Sequence, residues 1–178
     1  MVSKAPPAFQ LPAALRSRGF ALRPETERDI PFLFQLYAST REDELAPTGW
    51  APEQKLAFLD GQFRAQRHHY RTYLASCAFD ILEHDGTAAG RLYLEARATQ
   101  LYIADIALLP AWRGQGVGTA ILKALMADAT AQDTAVGIMV EKFNPALRLY
   151  RRLGFADIAD HGVYLEMEWR PAGARAVN

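Results

Sequence analysis

Residues 110–119 read PAWRGQGVGT, with Gly114, Gly116 and Gly118 at alternate positions between the apolar stretch LYIADIALL and the helical pattern TAILKALMADATAQ. The first turn of a helix carries backbone N–H groups that have no partner inside the helix, and the aligned peptide dipoles add partial positive charge there. Where Cβ atoms are missing, a pyrophosphate can come close to such donors, and Arg113 would add a charge-assisted contact at the entrance. This is phosphate-binding chemistry. A plain loop between two elements could use the same residues, so the spacing must be weighed against known phosphate loops.

Two of those loops do not fit. A P-loop requires Lys followed by Ser or Thr after its last glycine, whereas the chain continues Thr119-Ala120. A dinucleotide fingerprint wants a third glycine where Thr119 stands, on an early strand of a doubly wound unit. The pattern Arg/Gln-x-x-Gly-x-Gly, met by Arg113, Gly116 and Gly118, resembles the acyl-coenzyme A loop of the GNAT superfamily of N-acetyltransferases. Downstream, NPALRLYRRLGF resembles the second signature of that family through Asn144, Ala146, Tyr150 and Gly154-Phe155. The likeness is strongest over 101–155 and extends over 19–169 by the order of elements.

The resemblance implies acetyl-coenzyme A as co-substrate, its pyrophosphate on the N–H groups of Gly114, Gln115, Gly116, Val117, Gly118 and Thr119. It implies that LYIADIALL and AVGIMV splay apart and that the pantetheine arm enters the gap along the backbone of Ile106 and Leu108. An N–H near Ala107 would then serve as oxyanion donor. Asn144 and Ala146 would lie along the arm. Tyr150 would protonate the departing thiolate, since a phenol keeps its proton near neutrality while a free thiol titrates near about 8.5. Its plainer reading is a core tyrosine beside Ala146, Leu149 and Leu153. The implied reaction is direct acetyl transfer to a primary amine of a small molecule or peptide. The alternative is a non-catalytic acyl-coenzyme A sensor or interaction module.

A base for the amine is not legible. In many relatives a glutamate or histidine stands nine or eleven residues before the Arg/Gln, at the positions of Ala104 and Tyr102 here. Strict strand alternation turns Asp105, one place out of phase, to the opposite face. Glu95 and Glu141 are alternatives that could equally be surface or turn residues.

The elements that must hold these residues follow from periodicity and punctuation. A strand at 19–24 leads to a helix capped by Thr26, then a polar connection with Glu42, Asp43, Glu44 and Trp50, then a helix starting near Pro52. Strands flank Asp85-Gly86, a hairpin signal, and a third strand ends at Pro110. After the glycines come helix, strand, helix and two strands, with Asn144, Pro145 and Gly154 punctuating the second helix. Meanders and crossovers are mixed, so the fold class is α/β (α+β). The family likeness implies three layers: a mixed, mostly antiparallel sheet of six to seven strands, splayed centrally, with about four helices.

Length and composition agree with one such domain. The 178 residues are half apolar and 22% charged, and twenty basic residues balance twenty acidic ones, which argues against nucleic acid as partner. The Arg64–Tyr73 cluster of Arg, His and Tyr reads as a solvated helix end. Adjacent His68 and His69 diverge on a helix, so no metal site is legible. No apolar run reaches the ~20 residues of a membrane span, and Pro6, Pro7 and Pro12 interrupt any signal-like core. The single cysteine, Cys77, suits a reducing compartment, and a cytoplasmic location is expected. Residues 1–18 are expected as a flexible arm, 19–170 as the acyltransferase domain and 171–178 as a frayed tail. Pairing into a homodimer is left open.

Overall fold

Asp85 and Gly86 both take positive φ, 48° and 77°, the backbone of a two-residue turn whose twist matches its flanking strands. The turn joins β2 (Ala78–His84) to β3 (Thr87–Ala96), and a meander continues into β4 (Gln100–Leu108). The computed structural model describes residues 9–172. Ahead of the meander lie α1 (Ala13–Arg16), β1 (Phe20–Pro24), α2 (Ile30–Ser39), α3 (Glu42–Leu45) and α4 (Pro52–Tyr73). After it come α5 (Val117–Ala131), β5 (Ala135–Glu141), α6 (Leu147–Arg152), β6 (Ala156–His161) and β7 (Tyr164–Trp169).

The strands form one seven-stranded sheet in the order β1-β2-β3-β4-β5-β7-β6. Only β4 and β5 run parallel, because α5 carries the chain back across the sheet between them. The result is the three-layer, mostly antiparallel fold expected. Among the described residues there are six α-helices where about four were anticipated. The additions, α1 and α3, are single turns in segments read as arm and connection.

One core lies under α5 and α6. Val117, Ile121, Leu122 and Leu125 of α5 meet Leu92, Ile103, Val136 and Ile138 of the sheet. Each such side chain contributes about 1.5–3 kcal/mol when fully buried. On the other face Leu33 and Tyr37 of α2 and Leu59 and Phe63 of α4 pack on Ile81. No helix among the described residues is long and apolar enough to cross a membrane.

The N-terminal segment departs from expectation. Residues 1–8 and 173–178 lie outside the described residues, but 9–18 are not a loose arm. Leu11 and Leu15, 5% and 1% exposed, enter the α5-side core. Ordering them is favourable because their apolar side chains leave water by joining the core cluster that includes Leu82 and Ala89. Gly19 closes the segment with φ +85°; a Cβ there would stand 2.2 Å from Asp85 Oδ1, and the Asp85 N–H donates to its carbonyl at 2.9 Å.

The basic run on α4 is likewise not a purely solvated end. The Glu25 carboxylate, 1% exposed, accepts from Arg67 and Arg71, both at 2.6 Å, and from the Tyr93 hydroxyl. Arg64 alone of these makes a surface pair, with Asp60 at 2.9 Å. Burial pushes the Glu25 carboxyl up, but its bonds from Tyr93, Arg67 and Arg71 outweigh that, so its pKa falls below the ordinary 4.5. A depressed carboxylate stabilises fully above its ordinary value and loses that stabilisation as pH falls through the folded one. Glu25→Gln should therefore cost about 2–4 kcal/mol at pH 7, by stranding two guanidinium groups. In chemical denaturation the gap from wild type should narrow below pH 4.5; a constant gap would contradict the assignment.

Candidate active site

The two central strands part company halfway along. β4 and β5 pair only from Gln100 opposite Ala135 to Ile103 opposite Ile138. Beyond that, β4 stays bonded to β3 and β5 to β7, so the edge of β4 from residue 104 to 108 faces an open gap. The direction of each backbone group there follows from register. Leu109 donates to the Ala89 carbonyl at 2.9 Å, so alternation turns Ala107 towards Arg91 of β3. Ile106 instead presents its N–H and C=O groups to the gap, and Leu108 its N–H, while the Leu108 carbonyl accepts from Arg113 Nε. Near Ala107, where an oxyanion donor is expected, the N–H groups turned to the gap are those of its neighbours, while the N–H of Ala107 itself faces β3. The side chains of Ile106 and Leu108 turn to the α5-side core and anchor that edge.

At the end of the gap lies the glycine loop. Gly114 and Gly116 have φ of 71° and 78°, a left-handed conformation that disfavours side chains. A Cβ built on either would meet nothing within 4 Å, so the space beside them is free for a ligand. The first bond of α5 runs from the Ala120 N–H to the Gly116 carbonyl at 2.9 Å. The N–H groups of Val117, Gly118 and Thr119 precede it and have no helical acceptor. This cradle fits a pyrophosphate.

Arg113 does not stand over the cradle. Its Nε donates to the Leu108 carbonyl and its Nη2 to Ser39 Oγ, both at 2.9 Å, with Ser39 O at 3.3 Å. The last carbonyls of α2 and the negative end of its dipole draw the guanidinium away. The Gln115 side chain folds back onto the Ala111 carbonyl.

Tyr150 sits on α6 with its ring buried, 4% exposed, edge-on to Phe155 at 5.6 Å. Among the described residues no group hydrogen-bonds its hydroxyl. The fully occluded side-chain polar atoms without partners are Arg41 Nε and Arg91 Nε, not this oxygen. Burial, and then the negative charge of Asp105, raise its pKa above the ordinary 10. Asn144 Oδ1 accepts from the Ala146 N–H at 2.9 Å, capping the turn into α6.

Asp105 overturns the alternation argument. A β-bulge at Ala104 sets Asp105 opposite Tyr93 while Tyr102 stays opposite Glu95. Tyr93 and Glu95 share a face of β3, so Asp105 and Tyr102 share one as well. The carboxylate accepts from Arg91 Nη2 at 2.6 Å and from the Tyr70 hydroxyl at 2.8 Å. Burial first, then Asp105, pushes the Tyr70 phenol far above its usual value. Glu141 is held by both terminal nitrogens of Arg41, at 3.0 and 2.9 Å, and by Tyr164. Glu95 accepts from Ser76 and Arg97, both at 2.6 Å, and these bonds outweigh burial to lower its pKa. Every carboxylate considered as base is committed to an ion pair. Sequence reading missed Tyr70 and Arg41 because α4 and the α2–α3 connection lie far away along the chain, and missed Arg91 because strand pairing brings it to Asp105.

A surface groove of about 410 Å³ lined by Phe34, Glu53, Leu56, Ala57, Asp60 and Arg64 shares no residue with this gap. No group of metal-ligating side chains occurs among the described residues.

Residues 32–155 match the Acetyltransferase (GNAT) family, and the chain belongs to that family. It is an acetyl-coenzyme A-dependent acyltransferase. The fold is similar to the PaiA N-acetyltransferase of Thermoplasma acidophilum, solved in complex with coenzyme A: TM-score 0.63, 15% identity, 85% of this chain and 99% of that one. An acetyltransferase from Thermus thermophilus superposes with TM-score 0.61 at 18% identity, covering 85% and 97% of the two chains. The ribosomal-protein-S18-alanine N-acetyltransferase of Escherichia coli gives 0.55 at 16% identity, covering 89% and 99%. No curated protein matches the sequence closely enough to supply a relative.

Gly116→Glu should abolish acetyl-coenzyme A binding in calorimetry, since its side chain fills the cradle with bulk and like charge. Gly116→Ala carries only the backbone strain, about 1–2 kcal/mol, and separates the two effects by its melting temperature. Undiminished binding by the Glu variant would contradict the placement of the cradle.

Proposed function

We propose that the chain acetylates a primary amine of a small molecule or peptide by direct attack on acetyl-coenzyme A. The observation that carries this reading is the gap between β4 and β5, which runs from the glycine cradle to the neighbourhood of Tyr150. The coenzyme supplies a thioester whose acyl carbon the amine attacks. The N–H groups of Gly114 to Thr119 hold the pyrophosphate. Ile106 and Leu108 bond the extended arm as a strand would, and one of their N–H groups stabilises the carbonyl oxygen as charge develops on it. Asn144 and Ala146 border the arm, and Arg113 orients the loop by tying the end of β4 to α2.

Tyr150 keeps its proton until the sulfur departs and then donates it. Its raised pKa keeps the phenol in the protonated form well past neutrality. No carboxylate beside the gap is free to take the proton of the amine, which supports an acceptor that arrives neutral or loses its proton to water. Cys77, the single cysteine, is buried and is compatible with the cytoplasmic location expected.

Tyr150→Phe should lower kcat about a hundredfold while the affinity for acetyl-coenzyme A stays within twofold, in steady-state release of free thiol with an amine panel. An unchanged kcat would return Tyr150 to a packing role. In wild type the phenol should produce no alkaline fall in kcat below pH ~10, the ordinary tyrosine value. A Tyr150-dependent fall near pH 8 would contradict the raised pKa.

A further inference from the structure

Acyl transfer requires the coenzyme to be held by a diphosphate, and the cradle offers that diphosphate dipoles but no formal charge. Two arginines reach the loop. Arg113 belongs to it, yet the Leu108 carbonyl and Ser39 occupy its guanidinium. The other is Arg18, whose Nη1 donates at 3.4 Å to the carbonyl of Gln115, ninety-seven residues further along the chain. We infer that Arg18 is the cation that binds the coenzyme's pyrophosphate, a role resting on the acetyltransferase reading above.

Three observations place it there. First, the segment that carries it is fixed. Leu15 is buried three residues before it, and Gly19 immediately after it is pinned against Asp85. Second, the guanidinium stands at the mouth of the cradle. Gln115 lies between the two left-handed glycines, directly ahead of the free N–H groups of α5. Its flank is apolar: the charge sits 5.4 Å from the Phe20 ring, which packs edge-on to Trp112 at 5.2 Å.

Third, its charge is unspent. Arg23, Arg41, Arg67, Arg71, Arg91 and Arg97 each contact a carboxylate at 2.9 Å or less. Among the described residues Arg18 makes only its one long bond to a neutral carbonyl, and it is exposed. A guanidinium in that position can turn its remaining N–H groups to a phosphate oxygen while the loop carbonyl holds its orientation. Arg18 lies outside the matched residues 32–155, so the family pattern does not assign it.

The test is calorimetric titration of wild type, Arg18→Ala, Arg18→Gln and Arg18→Lys with coenzyme A and with 3′-dephospho-coenzyme A. Arg18→Ala should weaken both ligands by the same factor, about five- to twentyfold, with an unchanged melting temperature. Arg18→Gln should bind as weakly as Ala, and Lys should recover part of the loss. Wild-type affinity in the Ala variant would overturn the inference. So would a loss confined to the ligand with the 3′-phosphate, which would put Arg18 on a different group. Full affinity in the Gln variant would leave Arg18 as a mere pin for the loop, overturning it too. A wild type that binds neither ligand would fail the acetyltransferase reading itself, and this inference with it.

Discussion

The separation of β4 from β5 is the constraint on which the rest depends. Two neighbouring strands in the middle of a sheet normally satisfy each other's backbone groups, and leaving them apart exposes donors and acceptors that need partners. Here the separation persists because each strand is secured from its outer side. β4 stays paired with β3 along its length, through the bulge at Ala104, and β5 keeps its register with β7 up to Glu141 opposite Tyr164. In the function proposed, this unpaired edge receives the extended arm of the coenzyme.

Around this edge the polar side chains are arranged as closed pairs. Arg91, Asp105 and Tyr70 join α4 to the bulge of β4, and Arg41, Glu141 and Tyr164 join the α2–α3 connection to the end of β5. Buried networks of this kind rigidify what they connect when their members are satisfied. Arg91 Nε and Arg41 Nε are the exceptions, occluded and without partners. The cost of that arrangement is chemical: carboxylates committed to guanidinium groups are poor proton acceptors. In the function proposed above, the chemistry therefore rests on the backbone donors and on the phenol of Tyr150.

The docked N-terminal segment ties the loop to the sheet from a second direction. Leu11 and Leu15 supply the burial, while Phe20, Trp112 and His84 form an aromatic cluster beside the loop, with ring separations of 5.2 Å and 4.3 Å. Arg113 performs the matching task on the α2 side. The glycines can then be conformationally permissive without leaving the cradle loose.

Much of this was legible in the amino-acid order. Gly114, Gly116 and Gly118 before a helix, Asn144 and Tyr150 in the second signature, and Asp85-Gly86 between alternating strands are local patterns, and local patterns reflect backbone sterics and helix-end hydrogen bonding that short stretches control. The order and type of the main elements followed from them. Only tertiary structure decided the rest. The bulge at Ala104 moved Asp105 to another face, register turned Ala107 away from the gap, Ser39 and the Leu108 carbonyl took the Arg113 guanidinium, and the core recruited Leu11 and Leu15. Each of these outcomes depends on partners distant in the chain, where packing and electrostatics between elements override what a residue's neighbours in sequence prefer.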